Sequence, residues 1–212
     1  MTISMHQSSV GVFAHFLGSL SDLLDHAAAH AEARKIDPSI LLNARLYPNM
    51  YNLTRQVGQA NRHAVLACAL LAGVAPPAFS DAEPDISELK ARIAAAKEFI
   101  GNIGPDQING TEEKEVVFTF RNGSTRQFAG QSLLLAFSVP QFFFHVTTAY
   151  DIPRHCGVDL VKKDFWERQI PGEGQVREGQ EARPRYVSRP SLRTKFAAAA
   201  RPAISLLSAS NR

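Results

Sequence analysis

The side chains best suited to chemistry in this 212-residue chain are its seven histidines. His26 and His30 are four residues apart, a spacing that places two imidazoles on one face of a helix, where they can bind one metal ion. The same pair also suits a solvated helix end, because cationic side chains there complement the helix dipole. The sequence leaves both interpretations open.

His145 has the most distinctive surroundings of these histidines. It lies in the aromatic run Phe142–Val146, which predicts a buried position. A buried imidazole needs a hydrogen-bond partner or a ligand, because an unpaired buried polar group is costly. His63 lies on a different predicted helix. A helical bundle can direct it inward, but a boundary position with a solvent contact is the favoured interpretation. His155 follows His145 by ten residues, so on one helix the two side chains point about 80° apart and do not form a close pair.

Other kinds of chemistry have little support in the sequence. It contains no glycine-rich phosphate loop, no nucleophile elbow and no set of zinc ligands at typical spacing. Cys68 lies in an apolar helical run and is predicted to be a small buried hydrophobe. Cys156 precedes Gly157 at a predicted helix end.

Four predicted helices must position these side chains. Apolar residues spaced three and four apart predict the first helix. Prolines and glycines mark the ends of the other helices. The Pro140 ring is expected to kink or divide the last helix. The predicted helices cover Val10–Arg34, Met50–Leu71, Asp85–Gly101 and Gln131–His155.

A β-hairpin is predicted between the third and fourth helices. Two runs of β-branched and aromatic residues, Glu115–Phe120 and Thr125–Phe128, flank an Asn-Gly pair at 122–123, which is the strongest short hairpin signal. These elements together predict an all-α fold, namely an up-and-down-type four-helix bundle with a small β-hairpin before the last helix.

The composition predicts a folded body followed by a different kind of tail. Apolar residues make up 45% of the chain, which is enough for a packed core. From Glu167 onward there are nine basic and four acidic residues, punctuated by glycines and prolines. Residues 167–212 are therefore predicted to be a disordered basic tail, and residues 1–166 the bundle domain. The body carries a net charge of −2, which argues against a nucleic-acid partner.

The sequence also predicts a cytoplasmic protein without a membrane partner. No apolar run approaches the roughly 20 residues that a membrane-spanning helix needs. The N-terminal segment lacks the basic start and the apolar centre of a secretory signal.

Several segments, taken in their order and spacing, carry a family resemblance. They are His30–Pro38, Leu41–Leu46, Pro48–Met50, Leu89–Ile93, Phe142–Tyr150 and Arg154–Leu160. This pattern resembles the DUF1993 family, a family of domains of unknown function found in bacteria and fungi. The resemblance covers about residues 5–166 and implies a DinB/YfiT-like four-helix bundle.

The resemblance also suggests where a metal could bind. Superfamily members with known activity often hold a divalent metal through three histidines, one on the second helix and two, four apart, on the fourth, and some act as thiol-dependent transferases or isomerases. Here His63 and His145 match the first two positions, but Ala149 stands at the third. A zinc or nickel ion would therefore have only two of the histidine ligands here, and the site would be incomplete, since a catalytic zinc normally has three protein ligands. His30 is a conjectural replacement for the third.

The resemblance further implies a small polar pocket between the helices. Its lining would be the residues that match the family's own segments, namely His30, Asn43, Arg45, Gln56, His145 and Tyr150. The first hypothesis is a protein that binds a small-molecule ligand there without a complete metal site and with no cofactor firmly implied. Three alternatives stay open: a metal- or thiol-dependent transferase of the DinB type, a structural homodimer, and a structural role. In the last of these Asn43 and Arg45 bond backbone carbonyls, and His145 is a satisfied core group.

Overall fold

The computed structural model describes residues 3–78 and 85–167, and the fold is a helical bundle with one small hairpin. Four long helices form the bundle, and three short helices, α2, α5 and α7, connect or extend them. The long helices are α1 (Val12–Arg34), α3 (Leu53–Ala72), α4 (Ile86–Gly101) and α6 (Val139–His155). The short ones are α2 (Pro38–Asn43), α5 (Pro105–Ile108) and α7 (Lys162–Trp166). The predicted fold class is confirmed.

Helix α1 buries one apolar face against the rest of the bundle. Phe13, Leu17, Leu20 and Leu24 are fully buried and recur every three or four residues, which is the period of one helix face. The continuous helical segment begins before the predicted Val10, because a π-helical turn over Gln7–Gly11 leads directly into α1. It ends at Lys35, whose positive φ of 54° closes the helix in a left-handed conformation.

Helix α3 is the central element of the bundle. Its N-terminal cap is Asn52, whose side chain accepts a hydrogen bond from the Arg55 backbone N–H, and the left-handed Gly73 ends it. The helix was predicted from Met50, and the cap explains the later start, since a capping residue has extended backbone angles. Leu53, Val57, Ala60 and Ala64 are fully buried along its length and belong to the common core.

Helix α6 continues from a widened helical segment rather than being divided by proline. Residues Ser132–Ser138 form a π-helix, in which the Val139 N–H donates to the Leu134 carbonyl five residues back. Pro140 follows in the first turn of α6. Proline lacks the N–H that an α-helix requires, and the widened turns before it supply another bonding pattern. The chain thus stays helical through the expected break.

The predicted hairpin is present and lies beside α3. Strand β1 (Glu115–Thr119) pairs with β2 (Thr125–Ala129) in an antiparallel register, with Val117 opposite Gln127. Val116 and Phe118 are buried and their neighbours in β1 are exposed, which is the alternation of a strand with one face on a core. Five residues, 120–124, connect the two strands, and Gly123 takes the positive φ of 81° that this turn requires.

Among the described residues, one helix, Ser132–His155, is long and apolar enough to span a membrane. Its side chains Phe142, Val146 and Ala149 are buried in the bundle core, as expected for the core helix of a globular fold. A cytoplasmic location remains a prediction. The predicted tail at 167–212 lies outside the described residues, apart from Glu167.

Candidate functional site

His145 lies inside the bundle and is bonded to a neighbouring helix. Only 7% of its surface is exposed, and its Nδ1 lies 2.7 Å from Oε1 of Gln56 on α3. Both side chains belong to the pocket implied by the family resemblance, and the structure brings them into direct contact. The bond supplies the partner that a buried imidazole requires.

The Gln56 amide also determines which nitrogen of His145 carries the proton. Its Nε2 donates to the Tyr51 backbone carbonyl at 3.3 Å, and a carbonyl can only accept. Oε1 must therefore point toward His145 and accept from Nδ1–H. In the neutral imidazole the other nitrogen, Nε2, then carries the free lone pair. This is the atom of His145 that can accept a hydrogen bond or bind a metal.

His63 lies beside His145 and is more deeply buried than the boundary position expected from the sequence, and its Nδ1 has no hydrogen-bond partner among the described residues. It follows Gln56 by two helical turns, so both project from the same face of α3. The His63 and His145 rings are 5.6 Å apart between centroids and only 19° from parallel. His63 is 7% exposed, and its Nδ1 is fully buried and unpaired. An unpaired buried nitrogen is costly and marks a place where a ligand or water can bond.

Both imidazoles are held neutral at physiological pH. Burial lowers the pKa of His63 to about 3, with smaller contributions from the neighbouring His145 and Arg62 charges. Burial alone lowers the pKa of His145 to about 4. The low-dielectric surroundings disfavour the imidazolium ion in each case. The pair therefore offers neutral nitrogens rather than positive charge.

Aromatic rings surround the two histidines. Tyr51 lies nearly parallel to His145 with centroids 6.4 Å apart, and Phe118 lies nearly parallel to His63 at 6.1 Å. Phe137 meets His63 edge-on at 5.7 Å. We call these five residues, Tyr51, His63, Phe118, Phe137 and His145, the histidine–aromatic cluster. It combines planar apolar surfaces with neutral nitrogens.

The cluster supplies two imidazoles but not a third metal ligand. Two imidazoles on one tetrahedral ion place their centroids roughly 5 Å apart, given metal–nitrogen distances near 2 Å. The His63 and His145 centroids are 5.6 Å apart, and their rings are stacked nearly parallel. Ala149, one turn after His145, is fully buried and has no ligand atom. No group of three or more His, Cys, Asp or Glu side chains suited to a metal occurs among residues 3–78 and 85–167. The described residues thus do not fit a three-histidine metal site.

Asn43 and Arg45 organise the loop that carries Tyr51. Asn43 donates to the Ser39 carbonyl and accepts from the Asn52 side chain, the cap of α3. Arg45 donates to the Met50 carbonyl at 2.9 Å. Both side chains are exposed and act on the backbone, as the structural alternative expects. Their link to the cluster is indirect, through the position of the loop.

Tyr150 and His30 lie apart from the cluster. The Tyr150 hydroxyl accepts from Arg154, and its ring packs edge-on against Phe165 of α7. His30 is half-buried on α1, and none of the hydrogen bonds or ring contacts found in the described residues joins it to His63 or His145.

Three cluster members were not singled out in the sequence: Tyr51, Phe118 and Phe137. The alternating pattern of β1 could have placed Phe118 on the buried face, but no local signal tells which helix that face meets. Next to Phe118, a cleft of about 280 Å³ opens between α3 and β1. Its lining is mainly apolar and comprises Arg62, Leu66, Leu70, Pro76, Val117, Phe118, Thr119 and Phe120.

Comparison with known proteins places the chain in a family. The DUF1993 family, described as a domain of unknown function, matches residues 5–166. The chain belongs to the DUF1993 family. A crystal structure of a DinB family member from Shewanella denitrificans, at 1.83 Å resolution, is similar to this DUF1993 protein with a TM-score of 0.71 and 30% identity. The match covers 80% of this chain and 95% of that one. A comparison with curated proteins found no match.

Proposed function

We propose that this DUF1993 protein binds a small molecule at the histidine–aromatic cluster, without a complete metal site. The observation that carries the proposal is the bond between His145 Nδ1 and Gln56 Oε1. It leaves His145 Nε2 as a hydrogen-bond acceptor beside a second neutral imidazole, His63, whose buried Nδ1 lacks a partner.

The surroundings define the class of ligand. Nearly parallel rings on both sides of the pair favour a planar molecule, since aromatic faces stack on such surfaces. A neutral Nε2 accepts a hydrogen bond, so the ligand should carry an O–H or N–H donor. The lowered pKa values of His63 and His145 disfavour recognition of an anion by an imidazolium. A planar, uncharged hydrogen-bond donor fits these conditions, and a phenol is a simple example.

The test is a titration of the full chain with phenol, followed by nitrogen NMR of the labelled histidine rings. We expect the Nε2 resonance of His145 to shift with saturation and the His30 resonances to stay unchanged. His145→Phe should abolish saturable binding, whereas His30→Phe, a matched change outside the cluster, should leave it intact. Binding that is equal in the two variants, or no shift at Nε2, would contradict the proposal.

A metal-dependent transferase of the DinB type is the second candidate. It is favoured by the way Gln56 holds His145, because metal-binding histidines usually have their second nitrogen fixed by an oxygen acceptor. Calorimetry with Zn²⁺ and with Ni²⁺ separates the candidates. We expect weak binding to the natural chain and a marked gain in Ala149→His, which adds an imidazole one turn after His145. Tight stoichiometric binding to the natural chain, lost in His63→Ala, would favour the transferase instead.

A further inference from the structure

Strand β1 has one edge that β2 does not cover. The Gly130 N–H donates to the Lys114 carbonyl, and the Phe120 N–H donates to the Ser124 carbonyl. In an antiparallel ladder, residues that bond to the partner alternate with residues whose backbone groups point away. Within β1, Val116 and Phe118 thus bond to β2. The backbone groups of Glu115, Val117 and Thr119 point to the opposite edge.

This outer edge faces the cleft beside α3. Arg62 donates to the Thr119 carbonyl at 3.5 Å, which confirms the direction in which that carbonyl points. In the described part of the chain, no backbone group bonds to the outer edge. The Val117 side chain is 52% exposed, and the apolar side chains of Leu66 and Leu70 line the cleft next to it. A strand edge that has no backbone partner among the described residues and lies next to an apolar cleft is a template for another strand.

We propose that the outer edge of β1 pairs antiparallel with β1 of a second copy of this chain, with Val117 on the two-fold axis. This register sets Val117 opposite its own symmetry mate, and Glu115 opposite Thr119 of the second copy. All three outward residues then donate and accept one backbone hydrogen bond each. A self-complementary patch of this kind is what a two-fold dimer requires.

Charge favours a second copy over an unrelated strand. In the Val117-centred register, Glu113 of one copy lies opposite Arg121 of the other, and this pairing occurs twice because of the symmetry. Both positions are exposed and flank the strand. Lys114 lies opposite Phe120, so no two like charges face each other. Opposite charges directly across a strand pair stabilise it, whereas like charges destabilise it.

The two-fold axis also accounts for the cleft. An axis perpendicular to the sheet keeps the buried faces of both β1 strands on the same side. The cleft of each copy then lies next to that of the other, and its apolar lining, including Leu66 and Leu70, is covered from water. Phe118 of the histidine–aromatic cluster lines the same cleft. The strand pairing itself uses the outward backbone groups of Glu115, Val117 and Thr119, so it does not depend on the ligand proposal.

Proline substitution of the full chain tests the edge directly. Val117→Pro removes an N–H that points outward, so the bonds between β1 and β2 are retained. Gln127→Pro is the matched control, because Gln127 lies opposite Val117 and its N–H points to the outer edge of β2. Sedimentation equilibrium should show a dimer for the natural chain and for Gln127→Pro, and a monomer for Val117→Pro with unchanged circular dichroism.

A charge exchange tests the register without touching the strand. Glu113→Arg alone and Arg121→Glu alone should each weaken dimerisation by about tenfold or more, and the double exchange should restore it. A natural chain that stays monomeric would overturn the proposal, and the edge would then be assigned to a different occupant or to none. A dimer that is equally sensitive to Val117→Pro and Gln127→Pro, or indifferent to both charge reversals, would overturn it as well.

Discussion

His145 and Tyr150 are five residues apart on α6, yet they lie in two different environments. His145 is buried between α3 and the aromatic rings of the cluster, and its partner Gln56 is buried too. Tyr150 is half-buried on the side that meets α7, and its hydroxyl bonds to the exposed Arg154. The sequence resemblance implied that both line one pocket. The structure assigns only His145 to the cluster.

Helical geometry explains this separation. Five residues correspond to about 140° around an α-helix, so the two side chains leave α6 on different faces. The comparison teaches that a polar residue matching a family segment can serve either a site or a packing contact. Desolvation distinguishes the two cases here: the His145 pKa is strongly lowered by burial, whereas the Tyr150 hydroxyl bonds to an exposed side chain.

The largest expected difference between the two regions is in acid stability. The pKa values of His63 and His145 are lowered in the folded state from 6.5 to about 3 and about 4, so the unfolded chain binds protons first. Stability should be unaffected by this pair above pH 6.5 and should fall as the pH drops below it, by about 2 kcal/mol per histidine at pH 5. This loss of stability continues until the pH has dropped below the folded-state pKa of each histidine.

Urea unfolding at pH 7 and pH 5 measures this loss. His63→Leu should remove about half of the contribution of the pair, while Tyr150→Phe should leave the pH dependence unchanged. Proton NMR provides an independent check, because both cluster rings should stay neutral at pH 5. Rings that titrate near 6.5 would show that the cluster is solvated, and the contrast between the surroundings of His145 and Tyr150 would be lost.

A smaller effect is expected from removing the partner of His145. Gln56→Leu leaves the buried Nδ1–H of His145 without an acceptor, which should lower the free energy of unfolding by about 1–3 kcal/mol. Gln59→Leu is a matched change on the same helix, at a buried glutamine outside the His145 bond, and should cost less. The measurement is urea unfolding at pH 7. Equal effects of the two substitutions would mean that the bond to His145 contributes nothing specific.

The smallest effect is expected at Tyr150. Tyr150→Phe removes only a hydroxyl that bonds to the exposed Arg154, and Arg154 keeps its bond to the Leu160 carbonyl. The free energy of unfolding should change by no more than about 0.5 kcal/mol, and saturable phenol binding should be retained. A loss of phenol binding in this variant, as measured by the same histidine NMR titration, would show that Tyr150 belongs to the binding site.

Much of the fold was predictable because its signals are local. The α1 stripe, the Gly73 stop and the Asn-Gly turn each depend on neighbouring residues, and each is found where it was expected. The Asn52 cap and the π-helical turns before Pro140 were not predicted. The cap makes α3 start later than expected, and the π-helical turns keep the chain helical up to Pro140. Such details depend on which conformation satisfies the backbone once the helices have packed.

The candidate site was predicted only in part. His145 was expected to be buried and Gln56 to share its pocket, and the two are in contact. His63 was also predicted to lie beside His145, through the family pattern. Tyr51, Phe118 and Phe137 belong to the cluster but were not predicted to do so. These rings come from a loop, a strand and a π-helical segment. No spacing along the chain relates them to one another.

The sequence by itself determined the helices, the hairpin and the burial of His145, because hydrophobic periodicity and turn residues act over a few positions. Only the tertiary structure decided that Gln56 fixes the tautomer of His145, that the buried Nδ1 of His63 has no partner among the described residues, and that one edge of β1 faces a cleft. Each of these depends on side chains or strands from distant segments meeting at hydrogen-bond or contact distance. Packing of the helices sets such distances, and local sequence does not encode them.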